Sequence, residues 1–555
     1  MSDAGITRRF FLKIVGATSV AASCSPSHAP EKLVPLLNPP ENMVPGKPLF
    51  YRTVCRACDA GCGVTARSRE GRVVKLEGNP EDPISGGALC ARGQGELQEL
   101  YSPSRLRGPL VRRGATLAGA PWSEALQGVQ DALSKLRGPD GRIAGLRMLS
   151  RWEPGSAGAV QKAFVAALGT SPAQRVVFEP RDLSALRAAN AALFGAPELP
   201  VLDLARARAV VSFGADFLET WLSPVEQARS FMATRSHPDR PRLTWVGPRL
   251  PMSGANADTW LRVRPGGELP VAIALLRFLL DPANRVAQLR PEAAAIRAAL
   301  PRLALPEGVS SQQIARLGRE LDARRPSALL GPGAVSTGPA ANALAVAIQL
   351  ANHVLGNLGR TVLLGLGSEE DAPSPESELR ALLDEARRGE VKVLLVHRRD
   401  PLGELPASAR VEEALRRIPL IVAFGEQLDA TARLAHFVLP DHHALESFGD
   451  LQPRRGVLQL QQPALTPLWD TKAAPQVLLD LAAALALPGI ADKDFHELSK
   501  TRWQAAAKQL GATLDTPQAQ RNLIARGSVA GKVEPAKRPL RLGRLGALLQ
   551  APPSP

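Results

Sequence analysis

Aromatic residues are scarce, with two Tyr, seven Trp and 14 Phe among 555 residues. The formal charge is +15, yet no stretch interleaves aromatics among its basic residues as base stacking requires, which argues against a nucleic-acid partner. An acidic protein or an anionic membrane surface suits that charge better. No segment approaches the roughly 18 uninterrupted apolar residues of a membrane-spanning helix. No G-x-G-x-x-G follows an apolar run, so the common dinucleotide fingerprint is missing. None of the eight His falls in a metal-ligand pattern; the nearest pair, His442-His443, reads as part of a surface loop. Cysteine is limited to five positions, none of them beyond Cys90.

Four of the five are grouped. Cys55, Cys58 and Cys62 follow a C-x2-C-x3-C pattern, and Cys90 closes the set at a distance. Three thiolates on one tight loop can each reach a different iron of a [4Fe–4S] cluster, and a fourth from elsewhere completes the ligand set. Gly61 and Gly63 flank the third cysteine and Gly93 follows the fourth, where glycine lets backbone N–H groups approach the sulfurs. In between, Val64–Ala66 facing Arg72–Leu76 across Arg69-Glu70-Gly71 predicts a hairpin that leaves the cluster and returns to it. A four-cysteine zinc site is the alternative, although such sites usually show two matched C-x2-C pairs. A site without metal is the third reading.

Residues 1–24 read as an export address: Thr7-Arg8-Arg9-Phe10-Phe11-Leu12-Lys13 carries a twin-arginine signature, and Ile14–Ala22 is a short apolar run. Cys24 follows Ala21-Ala22-Ser23, which resembles a lipobox, so lipidation of Cys24 is expected. These features predict a location on the periplasmic side of the cytoplasmic membrane. Seven prolines between Pro26 and Pro48 make residues 25–48 an extended tether. From about residue 140 to 470 short apolar runs alternate with helical stretches, the pattern of parallel α/β layers. The candidate strands are Ile143–Leu149, Ala209–Phe213, Leu243–Val246, Ala328–Leu330, Val391–Val396 and Leu420–Phe424. Residues 486–524 read as a helical extension, and 525–555 as a basic extended tail.

The cysteine loop, followed by Leu89-Cys90-Ala91-Arg92-Gly93, Tyr101, Arg105-Leu106, Pro109-Leu110 and Trp122-Ser123-Glu124-Ala125, resembles the molybdopterin oxidoreductase superfamily. The resemblance continues through Gly356-Asn357-Leu358-Gly359, Asp429-Ala430-Thr431, Val438-Leu439-Pro440 and Glu446 to Gly449. It implies a small iron–sulfur domain over 49–115, followed over 116–485 by Rossmann-like parallel α/β domains. It also implies that Arg92 is the basic residue between cluster and pterin, and hence cofactor-binding.

Several departures argue against a bound molybdopterin. The usual Asn-Pro is Asp400-Pro401, which puts an anionic side chain near the expected nucleotide phosphates. Gln452-Pro453-Arg454-Arg455-Gly456 replaces the family's Asn-x-Glu-Gly-Arg, and no cysteine remains to ligate molybdenum. The sequence also stops where the family continues into a C-terminal barrel domain, which is expected to be absent. These losses resemble the molybdenum-free branch, the molybdopterin-like subunit of alternative complex III and of periplasmic quinone reductase complexes. That branch implies an electron-transfer or scaffold subunit of a quinol-oxidising complex rather than an independent catalyst. The expected partners are a multi-cluster ferredoxin-like subunit, a polytopic quinone-binding membrane subunit and cytochrome c subunits. The competing readings are an active molybdenum or tungsten bis-pterin oxidoreductase and a structural relic without a cluster.

Overall fold

The computed structural model describes residues 44, 46–170, 174–181, 183–334, 340–368, 372–490, 494–512 and 516–550. The twin-arginine segment, Cys24, most of the tether and residues 551–555 lie outside the described residues. Met1–Lys47 form one unit and Pro48–Pro555 another. In the first, the Lys47 N–H donates to the Val44 carbonyl at 3.0 Å, closing a turn. Among the described residues, no helix is long and apolar enough to cross a membrane.

The second unit opens with a three-stranded antiparallel sheet, β1 (Leu49–Val54), β2 (Gly63–Arg69) and β3 (Arg72–Gly78), in the order β1-β2-β3. Arg69 pairs with Arg72 across Glu70-Gly71, and both turn residues have positive φ, so this is the tight hairpin read from the sequence. Helix α1 (Ala91–Leu100) packs on β3.

The chain then lays down β4 (Leu110–Arg113), β5 (Thr116–Gly119), α2 (Trp122–Leu136), β6 (Leu146–Ser150) and β7 (Arg175–Val177). It leaves that sheet to build a second layer, with α3 (Ser184–Phe194), β8 (Ala209–Phe213), α4 (Pro224–Met232), β9 (Arg242–Gly247), β10 (Thr259–Arg262), β11 (Ser327–Leu330) and α5 (Ala341–Leu355). It returns through α6 (Glu376–Arg387) to add β12 (Val393–His397), β13 (Leu420–Gly425) and β14 (Phe437–Pro440). The first sheet is therefore seven-stranded, in the order β5-β4-β14-β13-β12-β6-β7, with β14 to β7 parallel and β4 and β5 antiparallel. The second is four-stranded and parallel, β10-β9-β8-β11. Every residue of β8, β11 and β12 is buried, because helices cover both faces of a parallel sheet and its strands become continuous apolar runs. Each sheet has its own core: Val211, Phe213, Val246, Ile273 and Leu350 beside the four-stranded sheet, and Met148, Phe164, Val393, Val422 and Val477 beside the seven-stranded one.

A small sheet of β15 (Gly449–Arg454) and β16 (Val457–Gln461) leans on the cysteine loop; helices α7 (Phe495–Gln509) and α8 (Pro517–Arg526) follow, and β17 (Ser528–Ala530) completes it against β16. Two expectations need correction here. The basic tail is not a free arm: the Ala536 N–H donates to the Leu364 carbonyl at 2.7 Å, Arg538 pairs with Glu198 at 3.2 Å, and α9 (Leu545–Leu548) places Leu545 and Leu549 in the core beside α3 and α5. His443 is not a surface residue either; it is 2% exposed and its Nδ1 accepts from the Leu445 N–H.

Candidate metal centre and the charged crevice beside it

β1 delivers Cys55 and β2 leaves from Cys62, and the Cys55 N–H donates to the Cys62 carbonyl at 2.8 Å, so the loop between them closes on itself. Gly61 has φ +62°, and a Cβ there would meet Leu451 Cδ2 at 2.7 Å; both the turn and the approach of β15 require glycine. Cys90 is the N-cap of α1. Gly93, one turn on, lets α1 approach: a Cβ there would lie 2.4 Å from Leu89 and 3.3 Å from Cys55 Sγ.

Cys55 and Cys62 are each 4% exposed, Cys58 and Cys90 are half-buried, and none forms a disulfide. Burial pushes the Cys55 thiol well up, helped by Glu96 and by Cys58 and Cys62; burial also raises Cys62, helped by Cys58, Asp82 and Cys90. Four bare thiolates this close would repel one another, so the set asks for a cationic centre. A single zinc, with Zn–S bonds of about 2.3 Å, would gather four sulfurs to within about 4 Å of one another. Among the described residues, no group of three or more His, Cys, Asp or Glu is arranged to hold a metal ion.

Beside the loop, the strands of the seven-stranded sheet end in a crevice, the usual ligand position of parallel α/β folds. Here it is filled by the chain's own charges. Arg56 of the cysteine loop pairs with Glu153, whose carboxyl burial would raise but Arg56 and Arg151 hold at about 2. Arg398, after β12, pairs with Asp441 and Glu426 at 2.7 Å each. His397 Nε2 lies 3.1 Å from Asp441, which Arg398 and His397 hold far below the usual carboxylate range against the effect of burial. Burial lowers His443 to about 3, with Arg398 and Arg105 adding to the shift. Asp400 Oδ1 accepts from the Thr431 N–H at 2.9 Å and its hydroxyl at 2.6 Å, while Oδ2 accepts from the Ala430 N–H at 3.2 Å. Asp400 thus occupies the Ala430 and Thr431 amides with a carboxylate of the chain's own.

Arg92, the expected cofactor contact, is exposed on α1, and its side chain has no partner among the described residues. The structure brings together the four cysteines but leaves Arg92 out of the crevice network. Sequence reasoning missed Arg151, Glu153, Arg398 and Asp441. A signal was there: Ser150, His397, Gly425 and Pro440 each end an apolar strand and are each followed directly by a charged residue.

Two family models match: the molybdopterin oxidoreductase Fe4S4 domain over residues 49–102, and molybdopterin oxidoreductase over 105–484. The chain belongs to the molybdopterin oxidoreductase family. The first domain supports a [4Fe–4S] cluster. This family member is 28% identical to the menaquinone reductase molybdopterin-binding-like subunit of Nitratidesulfovibrio vulgaris, over 83% of this chain and 68% of that protein. It is 23% identical to the thiosulfate reductase molybdopterin-containing subunit of Salmonella typhimurium, over 87% of this chain and 69% of that protein. Acetylene hydratase from Pelobacter acetylenicus shares the fold with a TM-score of 0.70 at 16% identity, over 87% of this chain and 74% of that one.

Proposed function

We propose that this oxidoreductase-family chain is the cluster-bearing electron-transfer and scaffold subunit of a membrane-associated quinol-oxidising complex. In this reading Cys55, Cys58, Cys62 and Cys90 ligate one [4Fe–4S] cluster, and no molybdenum is bound. The observation that carries it is the occupied crevice: Asp400 on the Ala430 and Thr431 amides, and Arg398 matched by Asp441 and Glu426. Moving these charges aside for a dinucleotide would leave buried ions unpaired, at about 3–5 kcal/mol for each broken pair. The similarity to a menaquinone reductase subunit described as molybdopterin-binding-like supports the same reading. The partners would be a multi-cluster ferredoxin-like subunit, a polytopic quinone-binding membrane subunit and cytochrome c subunits. Delivery would use Arg8-Arg9 and the twin-arginine route to the periplasmic face, with Cys24 as a lipid anchor.

A second reading, an active molybdenum or tungsten catalytic subunit, draws on the family match over 105–484 and on a cavity of about 640 Å³ beside the cysteine loop. Copurification separates the two. Solubilised from membranes, the tagged chain should bring its ferredoxin-like and membrane partners and oxidise quinol. Isolation as a lone molybdenum-containing reductase would overturn the proposal.

A further inference from the structure

The cavity beside the cysteine loop is separate from the ion pairs that fill the crevice. It occupies about 640 Å³, within the range of roughly 300–1,000 Å³ typical of small-molecule sites. Its floor is Asp59 and Ala60 of the cysteine loop, and its walls include Leu199, Leu202 and Leu222. Four helices begin at it: α3 through Leu183 and Ser184, α4 through Ser223, α5 through Asn342 and α6 through Pro375 and Glu376. Converging helix amino termini make a region positive through their aligned peptide dipoles.

The charges on the wall do not cancel that field. Asp59 is paired with Arg181, Glu226 with Arg454 and Glu376 with Arg380, so these carboxylates are matched. Glu179, the remaining wall carboxylate, accepts from the Trp152 N–H at 2.8 Å and is pushed up to about 7 by burial and Asp59. Arg187, one turn into α3, stands differently. Its guanidinium donates only to the Pro197 carbonyl at 3.2 Å, and among the described residues no carboxylate lies within ion-pair distance. At the start of α4, Ser223 Oγ is a wall hydroxyl without a partner and can donate to an anion. Arg187 is half-buried, and the carboxylate that acts on it, Asp59, is already paired with Arg181, so a bound anion would neutralise its charge at closer range.

We propose that this cavity binds an amphipathic organic anion, with its acidic head on Arg187 and the amino terminus of α3 and its apolar body against Leu199, Leu202 and Leu222. The proposal rests on the pterin-free reading, since a pterin would compete for the same space. The test is calorimetric titration of the purified full chain with octanoate, alongside an acid-oxidation assay for released pterin fluorescence. Octanoate should bind at one site, octanol should not compete, and Arg187→Gln should weaken binding at least tenfold. Arg264→Gln, at an exposed position, should bind as the parent does. Ala188→Trp keeps Arg187 but fills the cavity, and should abolish binding even if Arg187→Gln fails to fold. No binding, or equal binding by Arg187→Gln and Ala188→Trp, with no pterin released, would overturn this proposal alone. Released pterin would overturn both it and the pterin-free function.

Discussion

Arg105 and Glu446, 341 residues apart in sequence, form a buried two-pronged ion pair, Nη1 to Oε1 at 3.0 Å and Nη2 to Oε2 at 2.6 Å. Their side chains are 1% and 0% exposed. The pair joins the segment leaving α1 to the turn after β14, and so ties the cysteine domain to the seven-stranded sheet. Glu446 also accepts from the backbone N–H groups of His443 and Leu468 at 2.9 and 3.0 Å. Burial would raise its carboxyl, but Arg105 and those N–H groups hold it below the ordinary value.

Replacing one partner leaves the other charge buried and unpaired. Arg105→Gln should therefore lose about 3–5 kcal/mol of unfolding free energy, and Arg105→Met combined with Glu446→Gln should lose less than the sum of the two single changes. Denaturant titration measures both. Strict additivity would mean that the pair is not coupled.

Glu179 sets a pH dependence of definite sign. Its carboxyl is raised from the ordinary 4.5 to about 7 by burial and the neighbouring Asp59. Between those values the folded chain holds a proton that the unfolded chain has released. Its contribution to stability is thus complete below about pH 4.5 and lost as pH rises through 7. Glu179→Gln imitates the protonated form at every pH. It should flatten the stability profile between pH 5 and 8 and exceed the parent at pH 8 by up to a few kcal/mol. An unchanged slope in thermal melts across that range would rule this out.

The parallel strands were legible because burial on both faces leaves continuous apolar runs, as at Ala209–Phe213 and Leu420–Phe424. Ile143 was assigned to a strand too early: it makes only an isolated bridge with Gly169, and Gly145 at φ +75° breaks the chain before Leu146. The short antiparallel β4 and β5 carry too few residues to show a period of two. The cysteine loop could be read because its ligand residues are local in sequence. The crevice pairs could not, since nothing local marks Arg105 as the partner of Glu446.

The carboxy-terminal segment was read as a solvated arm because its arginines dominate and its buried contacts are few. Besides the strand at Ser528–Ala530, they include Leu545 at 4% and Leu549 at 0% exposure, one helical turn apart. Leu549→Ala should cost about 2–5 kcal/mol, seen as a shift of the denaturant midpoint with an unchanged slope. Stability equal to the parent's would return the segment to the status of a loose tail.

Cys58→Ser tests the cysteine set as ligands. It should lower bound iron and destabilise the loop, because the cluster's bonds fold that loop as well as hold the iron. Unchanged iron per chain in the variant would exclude Cys58 from the ligand set.

Metal and pterin analysis of the purified native chain decides whether it holds a cluster without molybdenum. The expected result is about four iron atoms per chain, with neither molybdenum nor tungsten and no pterin released by acid oxidation. Stoichiometric molybdenum or tungsten together with pterin would contradict it.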